Sequence, residues 1–157
     1  MSDLAHVRSP GVAGPSWLED EQAARLLRWA AAFYLVAWAI HTGDHVRRGL
    51  DVVTTEVAVT GNIAAVLQLV GIAAVFWRQR WAPLAVVIGF PDALGIAAVH
   101  LLPRWSSFSD AFPGASGTGV TAFSWFAATL EIAGALGFGL AGAHAWRRAL
   151  LREATPR

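Results

Sequence analysis

Residues 57–77 read VAVTGNIAAVLQLVGIAAVFW, an apolar run broken only by Thr60, Asn62 and Gln68. It has no two-residue alternation, and a bilayer crossing takes about 20 residues as a helix. Only helices and closed barrels satisfy their backbone groups in hydrocarbon, so the run reads as a transmembrane helix. Working outward, comparable stretches lie at 26–46, 82–102 and 121–146. A soluble four-helix bundle would need polar stripes that these segments lack. The expected fold is all-α: an integral membrane, antiparallel four-helix transmembrane bundle, with an outer lid-like loop between the third and fourth helices.

The composition agrees. Hydrophobic residues make up 55% and charged residues 15% of the 157 positions, far from the balance of a soluble domain. Four spans leave room for one domain, residues 16–148, between a flexible tail at 1–15 and a cytoplasmic C-terminal tail at 149–157. Residues 1–15 carry Ser9-Pro10-Gly11 and Gly14-Pro15. With no basic segment before an apolar run, they do not read as a signal peptide. Ser16-Trp17-Leu18-Glu19 fits a helix-capping box. The absence of cysteine excludes disulfides, thiolate-bound metals and cysteine-ligated iron–sulfur clusters. A net charge of +1 gives no support for nucleic-acid binding.

Arginine placement sets the expected orientation. Arg8, Arg25, Arg28, Arg78, Arg80, Arg147, Arg148, Arg152 and Arg157 fall on one side of the spans, and Arg47, Arg48 and Arg104 on the other. The positive-inside rule then places both termini in the cytoplasm of a multi-pass cell-membrane protein. Trp29, Trp77, Trp81 and Trp146 would mark the inner interface.

In that orientation His41, Asp44, His45, His100 and Asp110 gather toward the extracytoplasmic end. Ionisable residues in a membrane are expensive, which makes them candidates for function. His41, Asp44 and His45 stand at i, i+3 and i+4, on one helical face. An H-x-x-D-H pattern can bind a metal through its two imidazoles, with the carboxylate as ligand, orienting partner or base. The candidate metal ligands are therefore His41, His45, His100 and Asp110, with zinc or iron as the ion. Haem b, held by His41 or His45 against His100, is an alternative cofactor, with Arg47 and Arg48 pairing with its propionates or with lipid phosphates. Hydrogen bonding at the membrane edge would also explain the histidines.

Asp92 and Glu131 lie about 15 Å below the outer ends of their spans, close to the midplane, with Tyr34 and Gln68 at similar depth. They form an expected acidic floor and, with Asp44, the candidate catalytic groups. Asn62, Trp38, Tyr34, Trp105 and Ser124 are the candidate substrate-binding residues. Pro91 should kink the third span beside Asp92. The stripe Ala133, Gly137, Ala141, Ala145 should pack against another span. The loop 103–120, with Trp105, Phe108 and Phe112, is long enough to be a lid or an interfacial anchor.

Four spans with cytoplasmic termini and buried acids at Asp92 and Glu131 resemble the membrane sterol isomerases and their ligand-binding relatives in architecture. The resemblance implies a lipophilic ligand in a polar-floored cavity and transfers no residue roles. The expected function is an enzyme acting on a small or lipophilic substrate in an outward-facing cavity. Metal-assisted hydrolysis, hydroxylation and proton-transfer isomerisation all fit it. The alternative is a non-enzymatic haem- or ligand-binding protein or a small subunit of a membrane complex, with homo-oligomers allowed.

Overall fold

Large apolar side chains such as Trp29, Phe33, Val36, Val66 and Leu94 stand exposed, while His41, Asp44, Arg48, His100 and Glu131 are buried. This inverts the distribution of a soluble domain. The computed structural model describes residues 20–77, 79–116 and 118–154. Within them the regular structure is all helical: α1 Glu21–Arg48, α2 Thr55–Trp77, α3 Ala82–Ile96 and α4 Ala122–Glu153, with a π-helical turn, Ala97–Leu101, continuing α3. Each of the four is long and apolar enough to cross a membrane, counting α3 through Leu101.

The helices overrun the expected spans most at two points. α1 starts at Glu21 rather than near residue 26, and α4 continues to Glu153, through residues expected as a C-terminal tail. The tail at 1–15 and the capping box at Ser16–Glu19 lie outside the described residues. The described start of α1 is capped by Asp20, which accepts from the Ala23 amide at 3.0 Å. Asp20 also pairs with Arg148 at 2.9 Å and Arg152 at 3.1 Å on α4. The Ala23 amide first, and then Arg148, hold its carboxyl below the ordinary carboxylate value. At the other end Gly49, with φ at 97°, closes α1 by donating to His45 and Val46 carbonyls.

One face of α1 is buried along its whole length: Ala24, Leu27, Ala31, Tyr34, Ala37, His41, Asp44 and Arg48, in steps of three and four. The first five are core residues and the last three belong to the site. Leu27, Tyr34, Ile72, Val75, Ala85 and Phe138 belong to the main core cluster. α4 packs closely on α3 through small residues. A Cβ on Gly89 would come 2.4 Å from the Ala135 carbonyl oxygen, and one on Gly142 would come 2.6 Å from the Ala85 methyl. Of the stripe expected at Ala133, Gly137, Ala141, Ala145, Ala141 lies in the main core and Ala145 packs against it, but the other two do not. Ala133 is exposed and Gly137 faces open space. Because α4 serves both α1 and α3, its buried surface in this region is broader and takes in Gly134, Ala135, Phe138, Gly139, Ala141 and Gly142.

α2 is attached differently. No residue between Val57 and Gln68 is buried; only Val57 at one end and Gln68, Gly71, Ile72 and Val75 toward the other are. The helix spans an opening rather than closing a core.

Gly89→Ala and Gly142→Ala should each destabilise the fold by roughly 1–3 kcal/mol through overpacking, while Gly137→Ala should be neutral. Unfolding in mixed micelles by SDS titration measures this. A Gly89→Ala protein as stable as its parent would remove the close α3–α4 approach.

Candidate functional site

The C-terminal half of α1, the π-helical turn, loop 103–120 and the first turns of α4 meet at one end of the helices. His41, His45 and His100 converge there. Their ring centroids are 4.9 Å apart for His41–His45, 4.8 Å for His41–His100 and 5.4 Å for His45–His100. One nitrogen from each ring lies within 4.8 Å of the others. Rotating the rings inward would bring these atoms toward the separation of about 3.3 Å that Zn–N bonds of about 2.0–2.1 Å require in a tetrahedron. The three-histidine group can hold a metal ion.

The second nitrogen of each ring decides how ready it is. His41 Nδ1 faces the Glu131 carboxylate in a short contact. His100 Nδ1 lies 3.1 Å from the Asp110 carbonyl oxygen. Both oxygens accept, so the proton is assigned to Nδ1 and the lone pair to Nε2. A carboxylate or carbonyl behind the imidazole is the usual support of a metal-bound histidine. His41 Nε2 is buried and has no hydrogen-bond partner among the described residues. His45 is different: its Nδ1 accepts from Arg48 Nη2 at 3.1 Å, which puts its proton on Nε2. Two rings are poised to bind a cation, and the third must first be released by Arg48.

Asp110 stands on the Nδ1 side of the cluster, with its Oδ2 3.5 Å from His100 Nδ1 and 3.9 Å from His45 Nδ1. It does not join the three-histidine group. Its carboxylate is taken by Arg48, through a 3.2 Å hydrogen bond from Nη1 and a shorter one from Nη2. Burial works to raise its pKa, but the hydrogen bonds and charge of Arg48, followed by His100 and His45, hold the carboxyl below its ordinary value. Asp44, fully buried, pairs with Arg48 Nε at 3.3 Å and with Arg47 Nη2 at 2.7 Å. It does not line the cavity, because it points toward the arginines and the loop. Arg47 and Arg48 thus bind protein acids, in place of the propionates or lipid phosphates expected for them.

The loop is fastened by the same residues. Arg47 also donates to the Gly119 carbonyl at 2.9 Å and to Ser124 Oγ at 3.1 Å. Ser124 further accepts from the Thr121 amide at 3.1 Å at the start of α4. That makes Ser124 a capping residue, away from the cavity. Phe112 is buried against His100 at a centroid distance of 4.7 Å, and its amide donates to the His100 carbonyl at 2.9 Å. Trp105 and Phe108 remain exposed, and Trp105 Nε1 donates to the Ala98 carbonyl at 2.9 Å rather than facing the cavity. Of the three loop aromatics, Phe112 alone is buried.

A cavity of about 580 Å³ lies beneath α2. Trp38 and Asn62 line it, as do His41, His45, His100, Gln68, Asp92 and Glu131. The Asn62 amide is turned to its own helix, donating to Ala58 at 2.7 Å. Tyr34 sits behind the wall, its hydroxyl donating to Asp92 Oδ2 at 2.6 Å. Gln68 Nε2 donates to Asp92 and reaches Glu131 Oε1 at 3.5 Å. The acidic floor therefore assembles as expected from depth, but it is not a separate layer. The His41–Glu131 contact joins it to the histidines. What the sequence reading missed is that Arg48 pairs with Asp44 and Asp110, and its i, i+4 spacing from Asp44 was the available signal.

Comparison with protein families, curated proteins and solved structures finds no significant match.

Replacing Arg48 with Met should cost about 3–5 kcal/mol by leaving the Asp110 carboxylate without its arginine and Asp44 with Arg47 alone. Arg47→Met, at a half-exposed site, should cost about 1 kcal/mol or less. Limited trypsinolysis reads the difference: cleavage at Arg104 should accelerate in Arg48→Met. Equal protection in the two variants would show that Arg48 does not fasten the loop.

Proposed function

We propose that this chain is a four-pass membrane enzyme whose antiparallel helices hold a metal between His41, His45 and His100, at the head of a cavity that admits a lipophilic substrate. One observation carries the reading: His41 lines the cavity and has a buried Nε2 with no partner among the described residues, while its Nδ1 is held by Glu131. An unsatisfied buried nitrogen is costly, and a cation there would remove the cost. The donor set, three imidazoles with an oxygen behind two of them, suits zinc or iron. Such an ion would supply Lewis-acid activation of a polar group or of water.

The protein groups have separable tasks. Glu131 positions His41. Asp92, half-buried on the cavity wall and fixed by Tyr34 and Gln68, is the carboxyl that can exchange a proton with a substrate. Phe112 and the loop keep water from the imidazoles. Haem is the weaker reading: His41 and His100 are in edge contact, leaving no room for a macrocycle between them.

Membrane insertion is supported by the apolar exterior and by exposed Trp29, Trp77, Trp81 and Trp146, and the orientation by the arginine bias. Arg47 and Arg48, on the arginine-poor side, are neutralised by Asp44 and Asp110. The chain has no cysteine of its own, so single cysteines report topology without background. Phe108→Cys should react with an impermeant maleimide on intact cells, and Leu150→Cys only after permeabilisation. The opposite pattern would reverse the orientation.

Elemental analysis tests the centre. Purified protein should hold one zinc or iron per chain, lost in His41→Ala and His100→Ala. His45→Ala should weaken binding less, and Glu131→Gln by about 10–100-fold. A metal-free parent after expression in metal-supplemented medium, with the variants equally stable, would remove the metal centre.

A further inference from the structure

We infer that the occupant of the cavity is a long-chain lipophile with an uncharged hydrogen-bonding head, such as a long-chain alcohol, and that it enters sideways past α2. This rests on the reading of the site as a membrane-embedded enzyme and adds the class of substrate.

The shape of the cavity comes first. Its lining runs from Val87 to His100 on α3 and the π-helical turn, and from Val57 to Gln68 on α2. At 1.5 Å per residue these stretches are about 20 Å and about 17 Å long. The cavity, about 580 Å³, runs along both stretches. An extended chain can lie along the cavity.

The walls then set the route. Thr42 and Val46 on α1, Gly61 and Leu67 on α2, and Val87, Pro91 and Gly95 on α3 line the cavity and are also exposed. The cavity is therefore open along the flanks of α2, between helices whose outer faces are apolar. The end near the histidines is covered by Phe112 and the loop fastened by Arg47 and Arg48. A ligand arriving from hydrocarbon meets the open flank.

Charge chooses the head group. The ionisable residues of the lining are Asp92, Glu131 and the three histidines, and no arginine is among them. Arg47 and Arg48 are committed to Asp44 and Asp110. A carboxylate or phosphate head seated beside Asp92 would face the Asp92 and Glu131 carboxyl groups, with no arginine in the lining to offset them. A hydroxyl can instead donate to a remaining lone pair of Asp92, whose oxygens already accept from Tyr34 and Gln68.

The test is equilibrium binding of radiolabelled hexadecan-1-ol to the purified full chain in detergent, with palmitic acid and dimyristoyl phosphatidylcholine as competitors. Hexadecanol should bind saturably at one per chain, with palmitate and the two-tailed lipid at least tenfold weaker. Ala65→Leu and Gly95→Leu, which add bulk to the lining away from the histidines, should cut binding at least tenfold. Asp92→Asn should abolish the preference for alcohol over acid. Palmitate binding as tight as hexadecanol, or binding indifferent to both leucine substitutions, would overturn the inference. Zinc content is measured on the same samples. Hexadecanol binding without zinc upholds this inference and refutes the metal centre, whereas zinc without hexadecanol binding does the reverse.

Discussion

Arg48 is a guanidinium with no exposed side-chain surface, at the end of an apolar helix. Such a charge is tolerated only when paired and hydrogen-bonded. Two carboxylates meet that requirement, Asp44 one turn earlier on α1 and Asp110 in the loop 62 residues further along the chain. Satisfying Arg48 therefore brings loop 103–120 back onto α1. The returning loop places the Asp110 carbonyl behind His100 and the Phe112 ring on its face. The orientation of a candidate metal ligand on α3 thus depends on an ion pair that touches no metal.

The helices, their order and the depth of the acids were legible because each follows from local pattern or from counting residues. Tyr34, Gln68, Asp92 and Glu131 meet as their distances from the helix ends require. The division of H-x-x-D-H between two faces was harder to see. On a helix of 3.6 residues per turn, Asp44 lies about 60° to one side of His41 and His45 about 40° to the other. Trp38, Thr42 and His45 share the cavity side, whereas Ala37, Asp44 and Arg48 share the buried side. His41 stands where the two meet, which is why it both lines the cavity and is buried. The three positions were read as one face, and the roughly 100° between Asp44 and His45 separates their partners.

Long-range choices left no local trace. That Asp110 would take Arg48 rather than a metal depends on a loop path that its own sequence does not encode. The π-helical turn that carries His100 has no residue signature either, although such turns occur often at functional sites. The bridge from His41 to Glu131 closes a depth difference of about 5 Å between the two layers. Side-chain reach covers that distance, and residue counting alone treats it as a gap.

Buried polar groups that merely glue helices together should be mutually satisfied and closely packed. The arginine cluster is closely packed and ion-paired, whereas the cavity is neither. Asp92 is only half-buried, facing an open volume, and His41 Nε2 has no partner among the described residues. The middle of α2 leaves that volume open by burying nothing between Val57 and Gln68. Larger side chains there would fill the space and gain dispersion contacts. Alanine and glycine at positions 58, 61, 64 and 65 forgo that gain. The same chain packs α3 against α4 so closely that a methyl group cannot be added at Gly89. A sequence able to pack that tightly on one side, with a volume kept open beside unsatisfied polar atoms on the other, leaves room for a ligand.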